Sequence, residues 1–338
     1  MSLLNLAIII EKIKKRLRSE VVIFFRETSF YPKIYKSYWH YRFLNRNKVV
    51  TYNNYYTAVP NSGAGIGHQM ANWIAVYWFA EQFKLKFAHI PFSNSKWESF
   101  LGFGESEIYF KDLINKGYKK VRLPLFDEYN EVEVTLNKNI IASYSNQKVV
   151  FIAEQDQFYR DQFGVMEVIK EKFHTAPARK NDQLIFDTKF FNIAIHVRRG
   201  DIVIGQENQN ANLLMRWQGN DYFNKILQAT VENIHTIKPI AIYLFSQGDK
   251  SDFPEFEHFN NLHFCLDMNA QDSFLHMVQA DLLITSKSSF SYKPALLSNG
   301  IKICPKDFWH RYPDKEKFIL ANNRGEFDVN QLNMKNYE

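Results

Sequence analysis

An α/β fold, with parallel sheet covered on both faces, is predicted by three features of this sequence. Short apolar runs of strand length alternate with helix-length runs through the second half. Polar motifs follow those strands rather than interrupting them. In the first half, the glycine-rich loop Gly63-Ala64-Gly65-Ile66-Gly67 precedes an apolar run of helix length. Buried parallel strands read as continuous apolar stretches, and the ligands of such sheets bind beyond the strands' carboxyl ends.

The stretch before about Tyr56 is aromatic and basic, with few turn residues, and resists assignment. It opens with an apolar run at 3–10, followed by Lys12, Lys14, Lys15, Arg16 and Arg18. A secretory signal carries its basic residues ahead of the apolar run, and a membrane span needs about 20 apolar residues. Neither pattern is met. Leu4, Ile8, Ile13 and Leu17 recur at roughly helical spacing. The segment therefore reads as an ordinary solvated helix or as a basic amphipathic helix on an anionic membrane surface. The expected location is cytoplasmic, with peripheral contact at the inner face of the membrane in the second case.

Beyond the glycine loop, 69–83 reads as a helix, 87–90 as a short strand ended by Pro91, and 148–153 as another strand. The polar stretch 177–183, holding Arg179, Lys180, Asn181 and Asp182, is the candidate linker between a domain at 1–180 and one at 181–338. Strands are expected at 191–197, 240–245, 262–266, 282–285 and 301–304, the last stopped by Pro305. Helices are expected at 222–237, with Asp221 as N-cap, at 272–279, and at 292–297, stopped by Asn299-Gly300.

At about 100–200 residues per domain, 338 residues accommodate two. Hydrophobic residues at 46% and charged residues at 23% give the usual globular balance. The net charge of +6 favours anionic partners, and without a nucleic-acid motif no nucleic acid is expected among them. Cys265 and Cys304 are too few for a disulfide framework and are not spaced for zinc, so they read as buried free thiols.

Two motifs carry chemistry. His196-Val197-Arg198-Arg199-Gly200-Asp201 directly follows the strand-like stretch Asn192-Ile193-Ala194-Ile195. Arginines at a strand's carboxyl end suit phosphate, to which guanidinium makes charge-assisted bidentate bonds. Asp201 can hold one of them, and the competing reading is an arginine–aspartate network that pins a loop. Thr285-Ser286-Lys287-Ser288-Ser289-Phe290-Ser291 lies between a strand and a helix. Hydroxyls and N–H groups at a helix N-terminus form an anion site, whereas capping alone needs a single serine. Asp272, and Asp249 after the strand at 240–245, are read as caps or as ligand contacts.

His-x-Arg-Arg-x-Asp, followed about ninety residues later by Ala280-Asp281, an apolar strand and Ser288-Ser289-Phe290-Ser291, resembles the α1,2/α1,6-fucosyltransferase superfamily. The loop Gly63-x-Gly65-x-Gly67-x-Gln69 and the tail from Ala295 through Gly300 and Pro305 to Phe308-Trp309 are similar as well. The resemblance spans 61–309 and is best in the second half. It implies a GT-B fold, with two Rossmann-like domains facing each other across a cleft. It also implies inverting transfer of fucose from GDP-fucose to a glycan hydroxyl, with an α1,2-type linkage. His196 and Asp272 would contact guanine, Arg198 the β-phosphate, and Ser288 or Ser289 the diphosphate. Arg199 and Asp201 would shape the site, and Gly65 and Gly67 would admit the donor close to backbone. Phe290 and Gln69, from the same two motifs, count among the donor-binding residues.

No cofactor and no divalent metal is expected. The sequence has no Asp-x-Asp, the nearest approach being Glu154-Gln155-Asp156, and an arginine with helix N-termini can neutralise a departing diphosphate instead. Glu207 is the candidate base for the acceptor hydroxyl, although Gln206 stands at the related α1,6 enzymes' offset. Two departures bear on linkage and acceptor. Ser246-Gln247-Gly248-Asp249 replaces paired aspartates, and Tyr292-Lys293 replaces two tryptophans. The competing functions are a non-catalytic GDP-sugar or glycan-binding module, use of a different GDP-sugar, and a dinucleotide-binding oxidoreductase. Against the last, His68 breaks Gly-x-Gly-x-x-Gly, and no acidic residue stands about twenty residues on.

Overall fold

The computed structural model describes residues 3–44, 53–154, 157–200, 202–203, 214–266, 268–315 and 317–333. The chain divides into two compact units. The first takes Met1–Val59, Val76–Ile90 and Ile108–Phe158, and the second takes Pro60–Ala75, Pro91–Glu107 and Tyr159–Glu338.

The first unit is built on four strands: β1 (Tyr55–Ala58), β2 (Lys86–Phe87), β3 (Lys119–Arg122) and β4 (Val149–Ala153). Their order is β2-β1-β4-β3, and every pair is parallel. β4 is central, and all five of its apolar residues are buried. Helix α1 (Leu3–Phe25) and helix α2 (Lys36–Phe43) belong to this unit. Arg18 of α1 pairs with Glu154, just past the end of β4.

The second unit has six parallel strands: β5 (Phe191–His196), β6 (Ile240–Phe245), β7 (Leu262–Cys265), β8 (Leu282–Ile284), β9 (Ile301–Pro305) and β10 (Phe318–Ala321). Their order is β10-β9-β8-β5-β6-β7. The core between sheet and helices is aliphatic and aromatic, with Ile193, Ile195, Phe223, Leu244, Ile284 and Ile303 buried. Two parallel α/β sheets of this kind make the GT-B type of architecture expected from the sequence, each sheet Rossmann-like.

Several boundaries differ from expectation for local reasons. The helix at Asn220–Asn233 has Gly219 as N-cap, not Asp221, which instead sits in the first turn where its charge complements the helix dipole. It stops short of 237 because the Asn333 side chain takes the His235 N–H at 3.0 Å and donates to the Asn233 carbonyl at 2.9 Å. The helix at Ala270–Gln279 is capped by Asn269, whose side chain accepts from the N–H groups of Gln271 and Asp272. Within the stretch expected as a linker lies a 3-10 helix at Pro177–Asn181. Arg179 lies 4.5 Å from the Phe100 ring centroid and 4.0 Å from that of Phe173, and it donates to the Phe100 carbonyl at 2.9 Å. Both cysteines are buried and free.

β9 buries Lys302, whose ammonium donates to the carbonyl of Gly300 at 2.8 Å and lies 4.3 Å from the Phe318 ring centroid. Burial first, and then the charge of Lys170, push its pKa down from 10.5 to about 7. Between these values the unfolded chain holds the proton and the folded chain gives it up, so stability rises with pH across that window. Lys302→Met is expected to flatten the rise. It should stabilise the protein by about 1–4 kcal/mol near pH 6 and by much less near pH 10, as read by chemical denaturation.

Candidate functional site

β5 lies between β6 and β8, and all six of its residues are buried. Ile195 stands opposite Ile284 in the parallel register. The loops leaving β5 and β8 therefore start level with each other, and the two motifs emerge side by side. Side-chain hydrogen bonds between residues 90 apart join them. His196 Nδ1 lies 2.7 Å from Ser286 Oγ, and Arg198 Nη1 donates to Ser288 Oγ at 3.2 Å.

Ser288 is the N-cap of the helix Ser289–Leu297, its Oγ accepting from the Phe290 N–H at 3.2 Å. Ser291 Oγ accepts the Ser286 N–H at 3.2 Å, so the serines brace the turn between strand and helix. Ser289 opens the helix and is half-buried, as is Phe290. The Phe290 ring sits 5.6 Å from the His196 ring. Burial, and then the charges of Arg198 and Arg199, push the His196 pKa down to about 3. The imidazole is therefore neutral near pH 7.

The two arginines have different surroundings. Arg198 is half-buried and reaches the helix cap. Arg199 is buried and donates to the carbonyls of Arg198 at 2.8 Å and Gln218 at 3.1 Å, and to the side chain of Asn220. Its guanidinium lies 4.3 Å from the Trp217 ring centroid. Burial lowers its pKa to about 10, against the opposing charges of Glu255 and Asp252. Arg199 thus holds the loop that follows β5. Asp201 and Glu207 lie outside the described residues.

Gln218 links the motifs, and the sequence reading missed it. Its carbonyl accepts from Arg199, and its side-chain oxygen accepts the Lys287 N–H at 2.8 Å. A lone glutamine between Trp217 and Gly219 carries no signal of this in the sequence. The loop after β6 is attached too. Ser246 Oγ donates to the Val197 carbonyl at 2.7 Å, and a Cβ on Gly200 would stand 2.1 Å from the Gln247 side chain. Lys293 is fully buried, with its ammonium on the side-chain oxygen of Gln162.

The glycine loop joins the same cluster. A helix begins at Ile66 (Ile66–Gln82), and a Cβ on Gly67 would lie 2.7 Å from the carbonyl carbon and oxygen of Ser289. The first turn of this helix therefore packs on the first turn of the helix capped by Ser288. Gly65 faces open space, with nothing within 4 Å of an added Cβ. Gln69 closes the loop: its Nε2 donates to the Ala64 carbonyl at 2.9 Å and to Ser93 Oγ at 2.8 Å, and its Oε1 accepts the Ser93 N–H at 3.1 Å.

Asp272 lies elsewhere on the sheet's carboxyl edge. It lines a cavity of about 700 Å³ beyond β6 and β7, together with Asp249, Lys250, Phe264 and Asn269. Its Oδ2 accepts from Asn269 Nδ2 at 2.6 Å. His196 instead turns to Ser286, on the β8 side. The two residues expected at guanine are thus engaged separately, although their neighbouring helices touch through Phe274 and Phe290, with ring centroids 5.9 Å apart. Asp249 caps a short 3-10 turn in a reciprocal box with Asp252. Among the described residues, no group of three or more His, Cys, Asp or Glu is placed to hold a metal ion.

The glycines separate by what surrounds them. Gly67→Ala is expected to cost about 1–3 kcal/mol of stability, since the methyl meets backbone that cannot swing aside. Gly65→Ala, in open space, should stay within about 0.5 kcal/mol of the parent. Parallel chemical denaturation of the two variants checks the contrast.

No protein-family model matches the chain, and no curated protein sequence matches it. Among solved structures, it is similar to POFUT1 in complex with GDP, with a TM-score of 0.45 and 12% identity over 75% of this chain and 98% of that one. It is similar to the NodZ α-1,6-fucosyltransferase co-crystallised with GDP, with a TM-score of 0.43 and 11% identity over 82% of this chain and 97% of that one. FUT1 of Arabidopsis thaliana in complex with GDP gives a TM-score of 0.44 and 9% identity over 82% of this chain and 75% of that one.

Proposed function

We propose that the chain is an inverting, metal-independent glycosyltransferase that transfers fucose from GDP-fucose to a glycan hydroxyl. One observation carries this reading. Three electropositive groups converge at the carboxyl edge of β5 and β8: the Arg198 guanidinium, the first turn of the helix capped by Ser288, and the first turn of the helix at Ile66. Like-signed groups held together in this way suit an anion, and a diphosphate has the charge and the oxygens to engage all three.

The chemistry follows from that charge. As the sugar–diphosphate bond breaks, negative charge builds on the leaving group and positive charge on the sugar. Arg198 and the two helix ends stabilise the leaving diphosphate, in the role a divalent cation would otherwise fill. Gly65, with open space around it, lets the donor approach backbone. Neutral His196 suits an uncharged base, and the Asp272 carboxylate can accept from the N–H groups on guanine's edge. Arg199 keeps the loop in place for Arg198 to act. Glu207 takes the acceptor proton, leaving attack to occur from the face opposite the diphosphate. The α1,2-type linkage rests on the motif resemblance alone.

Calorimetry with GDP, GDP-fucose, GDP-mannose and UDP-glucose, in EDTA, tests the donor site. GDP and GDP-fucose should bind and UDP-glucose should not. Arg198→Ala should weaken GDP by about 10–100-fold, the worth of a charge-assisted contact. A folded protein that binds no guanine nucleotide would reject the reading, and GDP binding without any transfer would leave a binding module. Glu207→Gln should keep the GDP affinity and lower kcat by about 10²–10⁴-fold. An unchanged kcat would assign the base elsewhere.

A further inference from the structure

The chain's positive charge is concentrated in one place. Residues 1–44 hold nine Lys or Arg and three Glu, a net of +6, which equals the net charge of the whole chain. The remaining residues are balanced. The same segment exposes much of the chain's large apolar surface, so charge and apolar exposure coincide.

Helix α1 rests on its own unit through one side. Arg18 pairs with Glu154, Val22 and Phe25 are half-buried, and the Phe25 ring lies 5.5 Å from that of Phe30. At about 100° per residue, Ile10, Ile13, Leu17, Val21 and Phe24 fall within an arc of about 80°. All five are exposed, Leu17 at 61% and Phe24 at 76%. Lys14 and Arg16 are exposed as well.

Exposed aromatic residues follow the stripe in the sequence. Phe24 meets Phe25 edge-on at 4.9 Å, and Lys33 lies 5.5 Å from the Phe30 ring centroid. The Trp39 indole N–H donates to the Lys33 carbonyl at 2.8 Å, and Trp39 stacks on Phe43, which is 77% exposed. Exposed Arg26, Lys36 and Arg42 lie among these rings in the sequence.

We infer that this face of α1 and α2 is a docking surface for an anionic lipid bilayer, lying in the plane of the headgroups. Apolar side chains along one arc, aromatic rings at its end and a basic surround are the features of interfacial helices. α1 carries seven charged residues, and no described helix is long and apolar enough to cross a membrane, so lying flat is the geometry that suits it. A second copy of the chain would fit the three- and four-residue spacing of the stripe. Self-pairing, however, would bring two segments of net +6 together without an acidic partner. An anionic bilayer supplies the opposite charge, worth most at low salt.

The test is co-sedimentation of the full chain with vesicles of phosphatidylcholine and phosphatidylglycerol, in about a 7:3 ratio, and with phosphatidylcholine alone. The parent should bind the mixed vesicles, bind the neutral ones poorly, and release as salt rises from about 0.1 to about 0.5 M. Ile13→Ser/Leu17→Ser/Phe24→Ser removes apolar surface without changing charge, and Arg16→Gln/Lys36→Gln does the reverse. Each should weaken binding by about tenfold or more, with the parent's circular dichroism melt retained. No binding by the parent at low salt would overturn the inference. So would apolar variants that bind as the parent does, or a dimer in analytical ultracentrifugation that the triple variant converts to monomer. Vesicle binding is independent of donor binding, so failure here leaves the proposed transfer chemistry standing.

Discussion

Ile193, Ala194 and Ile195 pair in parallel register with Leu282, Leu283 and Ile284, and the polar cluster of the second unit depends on that ladder. Both strands are buried and mostly apolar; His196 is the last residue of β5, and Ser286 lies two residues past the end of β8. At that point both loops emerge together, and residues 90 apart come within hydrogen-bonding distance. A slip of two residues would displace one motif by about 6–7 Å while keeping the same faces buried. The His196–Ser286 and Arg198–Ser288 contacts would both be lost. Packing of the aliphatic core therefore sets the geometry of a site made of quite different residues.

Within that frame, neighbouring residues take unlike roles. Arg198 and Arg199 are adjacent, and adjacent side chains at the end of an extended strand point in opposite directions. One reaches the cap of a helix. The other enters a buried nest of carbonyls and the Trp217 ring, where desolvation would be costly without so many acceptors. His196 shows burial acting on charge: an imidazole beside two guanidinium groups in an apolar surround stays neutral, which suits it to hydrogen-bond an uncharged ligand.

The glycine loop illustrates the same division. Gly65 and Gly67 look equivalent in the sequence, yet one faces open space and the other touches the backbone of Ser289. Only the second is required by packing. The first has no neighbour within 4 Å of an added Cβ. Gln69, through its amide bonds to Ala64 and Ser93, sets the loop's shape.

Much of the second unit was legible because buried parallel strands write themselves as continuous apolar runs. 240–245 and 282–284 are plain examples, 193–195 and 303–304 are shorter ones beside Asn192 and Lys302, and a pair of arginines soon after such a run is conspicuous. The first unit was less legible. β3 is Lys119-Lys120-Val121-Arg122, a mostly exposed edge strand without an apolar signature, and β1 is hidden in an aromatic stretch. The sequence by itself determined which residues were available for chemistry and the alternating order that makes a parallel sheet. Only the tertiary structure decided which arginine reaches the helix cap, that Gln218 ties the two motifs together, that Lys293 is buried, and which face of α1 is left exposed. Each of those depends on what a side chain meets across the fold, and residues far apart in the chain become neighbours only when the sheet closes.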